Sequence, residues 1–327
     1  MKQKVLELLI DAEHFLSGEE MSHSLGVSRT AVWKHIKKLR EEGYSIESIT
    51  NKGYRLTMQP DQLDAYELEQ LLGNQNMVER VFVFKTIDST NKEAKRRAME
   101  ERIHTALLLS EEQTIGIGRR GRQWVSNKGE GIYMSLLLRP SIKPINASML
   151  TLVAGLAVKI AIKEITGLDS KIKWPNDLVI GNKKICGILT EMSSEIDFVN
   201  YVVIGIGINV NNQQFEEGIQ EVATSLSLEG GESYPRKGLI VQIIKEFEKL
   251  YEQFLREESL GFMADRYNME CVNIGKKVKV EVNGKDFIGK AIRVNYDGAL
   301  LICGEDGKEV TVNSGEVSVR GLFGYVD

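Results

Sequence analysis

Residues 17–43 read SGEEMSHSLGVSRTAVWKHIKKLREEG, and the fold of the N-terminal part follows from this stretch. Ser17 and Glu20 stand at capping-box spacing, so a helix starts there, and Gly26 ends it. Ser28 caps a second helix from Arg29 to about Glu42, which Gly43 terminates. Two helices joined by a tight glycine-containing turn make a helix-turn-helix. Upstream, Val5, Leu6, Leu8, Leu9 and Ile10 give an apolar helix face that ends near Phe15-Leu16. Downstream, 44–49 alternates like a strand and 53–56 returns as its partner around Thr50-Asn51-Lys52-Gly53. The pattern is a winged helix-turn-helix. Its second helix carries Arg29, Lys34, Lys37, Lys38 and Arg40, while Val32, Ile36 and Leu39 recur at core spacing. A basic helix is often only a solvated face. Here the run falls on the recognition helix beside a basic wing, which predicts DNA contact by Ser28, Arg29, Thr30, Trp33, Lys34, Lys37 and Lys52.

The chain has 327 residues, enough for two or three domains. Its net charge of −4 excludes a general nucleic-acid coat, so any DNA contact must come from a local patch. Three widely spaced cysteines make no disulfide framework and no metal site, as expected of a reducing cytoplasm. Glu7, Asp11 and Glu13 interrupt any signal-peptide core, and no run of 18 apolar residues occurs, so neither export nor a membrane span is expected.

Gln59-Pro60-Asp61-Gln62 reads as a linker, followed by a polar helix to Leu72-Gly73. The expected division is 1–60, 61–272 and 273–327. In the middle part, a strand over 81–86 precedes a helix to about Ile103, with Thr90 and Glu93 as a capping box. Strands are expected at 105–110, 132–138, 172–173, 178–180, 185–192 and 199–209, with helices over 148–166 and 238–257. Short links between strands predict an α+β fold, a mixed and mostly antiparallel sheet with helices on one face. From Asn273, short alternating runs at 277–282, 287–295, 299–303, 309–312 and 316–321 read as a five-stranded barrel. They are separated by Asn283-Gly284, Asp297-Gly298, Asp306-Gly307 and Ser314-Gly315.

Two clusters carry candidate chemistry. Residues 116–124, Gly-Ile-Gly-Arg-Arg-Gly-Arg-Gln-Trp, lie in a stretch from Gln113 to Gly131 with no element of its own. Glycines let backbone amides approach an anion and arginines fork onto phosphate or carboxylate, so this reads as an anion clamp rather than a solvated basic loop. Lys173-Trp174-Pro175-Asn176-Asp177 could line a pocket or be a structural turn around a buried tryptophan. One of Lys183 and Lys184 must face inward on its strand. Gly205-Ile206-Gly207-Ile208-Asn209 lacks the third glycine and the βαβ setting of a dinucleotide site, so its glycines leave room for a ligand or a neighbour. No P-loop, HExxH or GxSxG occurs, and the four histidines do not cluster; no protein metal site is expected.

These pieces together resemble the bifunctional biotin–protein ligases that also act as biotin operon repressors. The resemblance spans the winged helix with Asn51–Leu56, the Asp88-Ser89-Thr90-Asn91 turn, and Glu112-Gln113-Thr114 with the loop after it. It continues through Lys173–Leu178, Lys184–Leu189, Gly205–Asn209 and the C-terminal barrel. It implies a class II synthetase-like central sheet and an SH3-like barrel. It also implies ATP (with Mg2+) and biotin as reactants, biotinyl-5′-adenylate as intermediate, and a lysine of a biotin carboxyl carrier domain as acceptor. Operator DNA and a second copy of the chain are the further implied partners.

The resemblance also implies roles for individual residues. Ser89, Thr90 and Gln113 bind the ureido ring, with Asn91 beside them. Gly116, Ile117, Gly118, Arg119, Arg120 and Arg122 close over the carboxylate end. Lys184 reaches carboxylate and phosphate, Trp124 and Asn176 border adenine, and Asp177 holds the loop or a magnesium ion. Lys173, Gly187 and Asn209 complete the pocket, and Arg320 reaches the nucleotide. Arg119, Lys184 and Asp177 are the implied catalytic set. Where the family carries a first basic residue in the loop, this chain has Ile117. That departure leaves open a biotin-sensing transcription factor with weak or lost ligase activity; a ligase for lipoate is the third reading.

Overall fold

The computed structural model describes residues 1–12, 14–41, 43–49, 52–58, 60–73, 77–100, 102–282 and 285–313. The chain divides into two compact units, Met1–Leu71 and Leu72–Asp327.

In the first unit, α1 (Lys2–Asp11) stops at Ala12, whose backbone is extended. The helix therefore does not reach Phe15-Leu16. Leu16 instead exchanges backbone hydrogen bonds of 2.9 and 2.8 Å with Tyr54. That close approach needs a glycine next door: a Cβ on Gly53, at φ +110°, would stand 2.0 Å from the Leu16 carbonyl oxygen. The capping box of α2 (Gly18–Leu25) forms in both directions, and Gly26 ends the helix in the left-handed region. Ser28 Oγ accepts from the Ala31 amide at the head of α3 (Arg29–Glu41). β1 (Ser45–Ile49) and β2 (Gly53–Met58) pair antiparallel. Val5, Leu6, Leu9, Met21, Val32, Ile36, Leu39 and Ile46 form the core. Arg40 pins the hairpin to α3 by donating to the Ile46 carbonyl. After the linker, α4 (Ala65–Leu72) packs with this unit. Gln3 Nε2 donates to Asp64 just before it, and Tyr66 OH donates to Asp11 at 2.7 Å.

The second unit is built on a seven-stranded sheet. Its strands are β3 (Arg80–Phe84), β4 (Thr105–Ser110), β5 (Gly131–Leu138), β6 (Lys171–Lys173), β7 (Asp177–Ile180), β8 (Lys183–Ser194) and β9 (Val199–Asn209). The order is β3-β4-β5-β9-β8-β7-β6, and only β3 and β4 run parallel. The expected helices lie on both faces, not on one. α5 (Thr90–Glu100) packs Ala94 and Ala98 against Ala106, Leu108, Leu137 and Val203. α6 (Leu150–Thr166) lies on the opposite face, where Thr151 Oγ1 donates to Thr190 Oγ1 at 2.7 Å. Side chains alternate along β8, so Thr190 and Ile188 look the other way from Leu189 and Glu191. Residues Pro144–Thr166 are long and apolar enough to cross a membrane, but 83% of that window is buried inside the fold, as for a core helix. α7 (Leu226–Gly230), α8 (Arg236–Glu257) and α9 (Ala264–Glu270) follow.

The C-terminal strands β10 (Lys277–Val282), β11 (Lys285–Val294), β12 (Leu300–Gly304) and β13 (Glu309–Val312) form a sequential antiparallel sheet. The expected fifth strand at 316–321 and the turns at 283–284 and 314–315 lie outside the described residues. Trp174 joins this sheet to the central one. It is 1% exposed, its amide donates to Asn273 Oδ1, and its indole donates to the Gly298 carbonyl. Its peptide bond to Pro175 is cis.

Candidate active site

The site begins at the turn entering α5. Asp88 Oδ1 accepts from the Ser89 amide, and Arg96 forks onto the same carboxylate at 2.9 and 3.1 Å. Arg96 holds the Asp88 carboxyl down at about 2. The capping box expected of Thr90 and Glu93 does not form. The Thr90 amide donates to Gln113 Oε1 at 2.9 Å, and Glu93 pairs with Arg96 and Arg97. Thr90 is already the first helical residue, and its hydroxyl is turned inward to Ser135, 2.7 Å away.

Gln113 links this turn to the glycine-arginine loop, through its bridge to Ser126 and the hydrogen bond from its Nε2 to Ser126 Oγ. The loop has more structure than its sequence promised. The Trp124 amide donates to the Gly116 carbonyl, Gly118 to Arg122, and Arg119–Gly121 make one 3-10 turn with Arg120 left-handed at φ 57°. This turn splits the three arginines. Arg120 and Arg122 point to solvent, whereas Arg119 turns in and donates to Asn176 Oδ1 at 2.8 Å. Burial lowers the Arg119 pKa, opposed by the charge of Asp177; a guanidinium remains protonated regardless.

From the far side come β7 and β8. Of the two lysines, Lys183 is exposed and Lys184 turns in. The Lys184 ammonium sits 2.6 Å from Asp177 Oδ1 and 5.4 Å from the centre of the Trp124 ring. The glycines of β8 and β9 explain how the ring fits. A Cβ on Gly207 would lie 2.5 Å from it, one on Gly187 2.9 Å, and one on Gly205 would strike the Asn91 amide at 2.2 Å. They leave room for neighbouring side chains.

These parts enclose an open cleft whose empty space, counted to its open mouth, is about 460 Å3. One end is neutral and polar, with Ser89, Thr90, Asn91 and Gln113. The other end carries Arg119, Lys184, Asn176, Ile117 and Gly118, with Trp124 and Gly187 between. Tyr133, Met134, Ile188, Leu189, Gly205, Ile206 and Gly207 also line it. Of these, only the glycines stood out in the sequence; the others are ordinary strand residues whose facing is set by sheet register. Six expected residues stand off the wall. Gly116 lies beneath Trp124, with room for no Cβ, and Arg120 and Arg122 are outside. Lys173 is buried behind the turn, Asp177 stands behind Lys184, and Asn209 Nδ2 donates to the Thr224 carbonyl. Arg320 lies outside the described residues. No group of three or more metal-ligating side chains occurs among the described residues. Asp177 is engaged by Lys184 and Asn176.

On the first unit, Ser28, Arg29, Thr30, Trp33, Lys34, Lys37 and Lys52 are all exposed. Arg29 pairs with Glu19, and Lys37 lies 6.0 Å from the Trp33 ring centre.

Comparison with known proteins gives three matches along the chain. An HTH domain covers residues 2–55, the biotin/lipoate A/B protein ligase family 83–209, and the biotin protein ligase C terminal domain 274–320. The chain is 40% identical over 307 residues to the bifunctional ligase/repressor BirA of Bacillus subtilis, covering 92% of this chain and 94% of that one. To BirA of Escherichia coli it is 32% identical over 317 residues, 97% and 96% of the two chains. Among solved structures, the biotin protein ligase from Aquifex aeolicus in complex with biotin and ATP superposes with a TM-score of 0.65. It is 30% identical and covers 76% of this chain and all of that one. By sequence along nearly its whole length, and by fold, this chain belongs to the family of bifunctional biotin ligase/repressors.

Proposed function

We propose that the protein activates biotin with ATP to biotinyl-5′-adenylate and transfers biotin to a lysine of a biotin carboxyl carrier domain. With the adenylate bound, it dimerises and represses transcription from an operator. The observation that carries the reading is a single cleft with a neutral hydrogen-bonding end and a cationic end that meet over Trp124. Biotin has the matching halves: a neutral ureido ring at one end and a carboxylate at the other. Ser89, Thr90 and Gln113 take the ring, which directs the carboxylate toward Lys184 and Arg119.

In the first step, a carboxylate oxygen forms a bond to the α-phosphorus of ATP, and the bond to pyrophosphate breaks. Lys184 and Arg119 offset the repulsion between two anions and the charge that develops on the phosphate. Asp177 and Asn176 hold those two cations in place. Trp124 offers a flat face to the adenine. In the second step, the neutral amine of the carrier lysine attacks the acyl carbon, AMP leaves, and the amine loses a proton. Confinement of both reactants in one cleft supplies much of the rate. On this reading 1–60 binds DNA, 61–272 catalyses and 273–327 completes the site, in the cytoplasm. Helix α4, in the first compact unit, opens the catalytic part.

The test is to mix the chain with ATP, biotin and a carrier domain. Pyrophosphate release and a biotin-sized mass gain on one carrier lysine are expected; neither product would overturn the reading. Ile117 on the cleft wall favours a second reading, a biotin sensor with little turnover. Biotin-dependent operator binding without pyrophosphate release would select it.

A further inference from the structure

Among the described residues of the first unit, one aromatic side chain is exposed: Trp33, at 51%. It lies in the second turn of α3, within the N-terminal half that a recognition helix turns to base edges. Val32, Ile36 and Leu39 fill the core side of the helix, and Trp33 stands outside that stripe. One helical turn before it comes Arg29 and one turn after it Lys37, both exposed. Glu19 pairs with Arg29, and the Lys37 ammonium lies 6.0 Å from the centre of the Trp33 ring. The outer side of α3 therefore presents a flat apolar plate between two cations. The cations suit phosphates and the polar edges of bases. The plate suits neither.

The chemistry of the double helix narrows what the plate can meet. In the major groove, base pairs display hydrogen-bonding atoms and one apolar group, the C5-methyl of thymine. We propose that Trp33 is a specificity-determining residue of the DNA face, its indole packing on the C5-methyl of one thymine in each half-site. The inference rests on the repressor reading and adds which group on the DNA is read. Cations on either side hold the helix on the backbone, which carries no sequence information, while the indole requires a T·A pair at its position.

Duplexes are first selected from a random-sequence library by the full chain supplied with biotin and ATP. Each thymine of a selected duplex is then replaced by deoxyuridine, which removes the methyl and nothing else. At one thymine per half-site the wild-type affinity should fall about four-fold, the worth of one buried methyl-sized group, and about fifteen-fold when both half-sites are changed. Trp33→Ala should bind the thymine and deoxyuridine duplexes equally within about 1.5-fold, with its salt slope unchanged because no phosphate contact is lost. Trp33→Gln, polar and of similar reach, should behave in the same way, and serves if the alanine variant folds poorly. At the same position, a 5-methylcytosine·guanine pair should bind wild type about four-fold better than cytosine·guanine. A variant that loses affinity equally on thymine and deoxyuridine duplexes, with the wild type indifferent to the methyl, would put the indole on the sugar–phosphate backbone or on another protein surface and overturn the inference. So would a deoxyuridine penalty that persists in both variants. Either result leaves the repressor reading intact. Failure of the loaded chain to enrich any sequence would overturn both.

Discussion

Arg119 and Arg120 are neighbours with opposite fates, because one left-handed residue in the loop sends consecutive guanidinium groups to opposite sides. Arg119→Gly removes a cation from the carboxylate–phosphate end and the bond to Asn176, but leaves the ureido end intact. The variant should bind biotin within about three-fold of wild type and yet release its adenylate into solution, since charged hydrogen bonds of about 1.5–3 kcal/mol are lost at that end only. Biotin appearing on bystander lysines measures the leak; retention of the adenylate at wild-type level would remove Arg119 from the clamp. Asp88 makes a second prediction. Its carboxyl titrates at about 2 in the folded chain against 3.8 ordinarily, because Arg96 stabilises the charged form. The folded state therefore binds fewer protons there, so the stabilisation is complete above about pH 4 and disappears as pH falls toward about 2. The gap in Tm between wild type and Asp88→Asn should be constant from pH 8 to 5 and close between pH 4 and 2. Much of this residue-scale picture was legible in sequence, since Ser89, Gln113, Arg119 and Lys184 belong to unusual local patterns. The hydrogen bond from Asn91 to Glu191 was not legible: the partners lie 100 positions apart and meet only through the sheet.

At the scale of elements, α3 separates two roles within one basic helix. Lys34 and Lys37 are exposed beside Trp33, whereas Arg40 holds the hairpin. Lys34→Ala and Lys37→Ala should each reduce the slope of log affinity for operator DNA against log salt by about 1, the counterions of one phosphate contact. Arg40→Ala should instead lower Tm and leave that slope unchanged. α9 and α6 supply a further case. Lys159, 6% exposed, and Lys171 both pair with Glu270. Burial pushes the Glu270 carboxyl up, but the two lysines more than reverse that and hold it below its ordinary value. Glu270→Gln strands the buried Lys159 charge and should cost about 2–4 kcal/mol in chemical denaturation. Caps, turns and strand alternation made nearly every element readable. What periodicity does not encode is the side of the sheet on which a helix lands, which is why α5 and α6 fell on opposite faces. The motif Thr-x-x-Glu at 90–93 misled for a related reason: its threonine had already been recruited by Ser135 and Gln113, partners far away in sequence.

The whole molecule is acidic overall, while α3 and the tip of the wing present a local set of exposed cations, Arg29, Lys34, Lys37 and Lys52. Such a chain approaches DNA through one small face, and a single small face binds weakly without a second copy. Pairing driven by the adenylate therefore fits the proposed repression better than binding by one copy. Its three tryptophans are also distributed one to each task. Trp33 is 51% exposed on α3, Trp124 borders the cleft, and Trp174 is sealed against the C-terminal sheet. The protein thus contains its own three-channel fluorimeter. Leaving one indole at a time by Trp→Phe replacement should give emission that responds to operator DNA from Trp33, to biotin and ATP from Trp124, and only to unfolding from Trp174. The order in which the three signals move during one titration would then reveal whether the cleft fills before the DNA face engages.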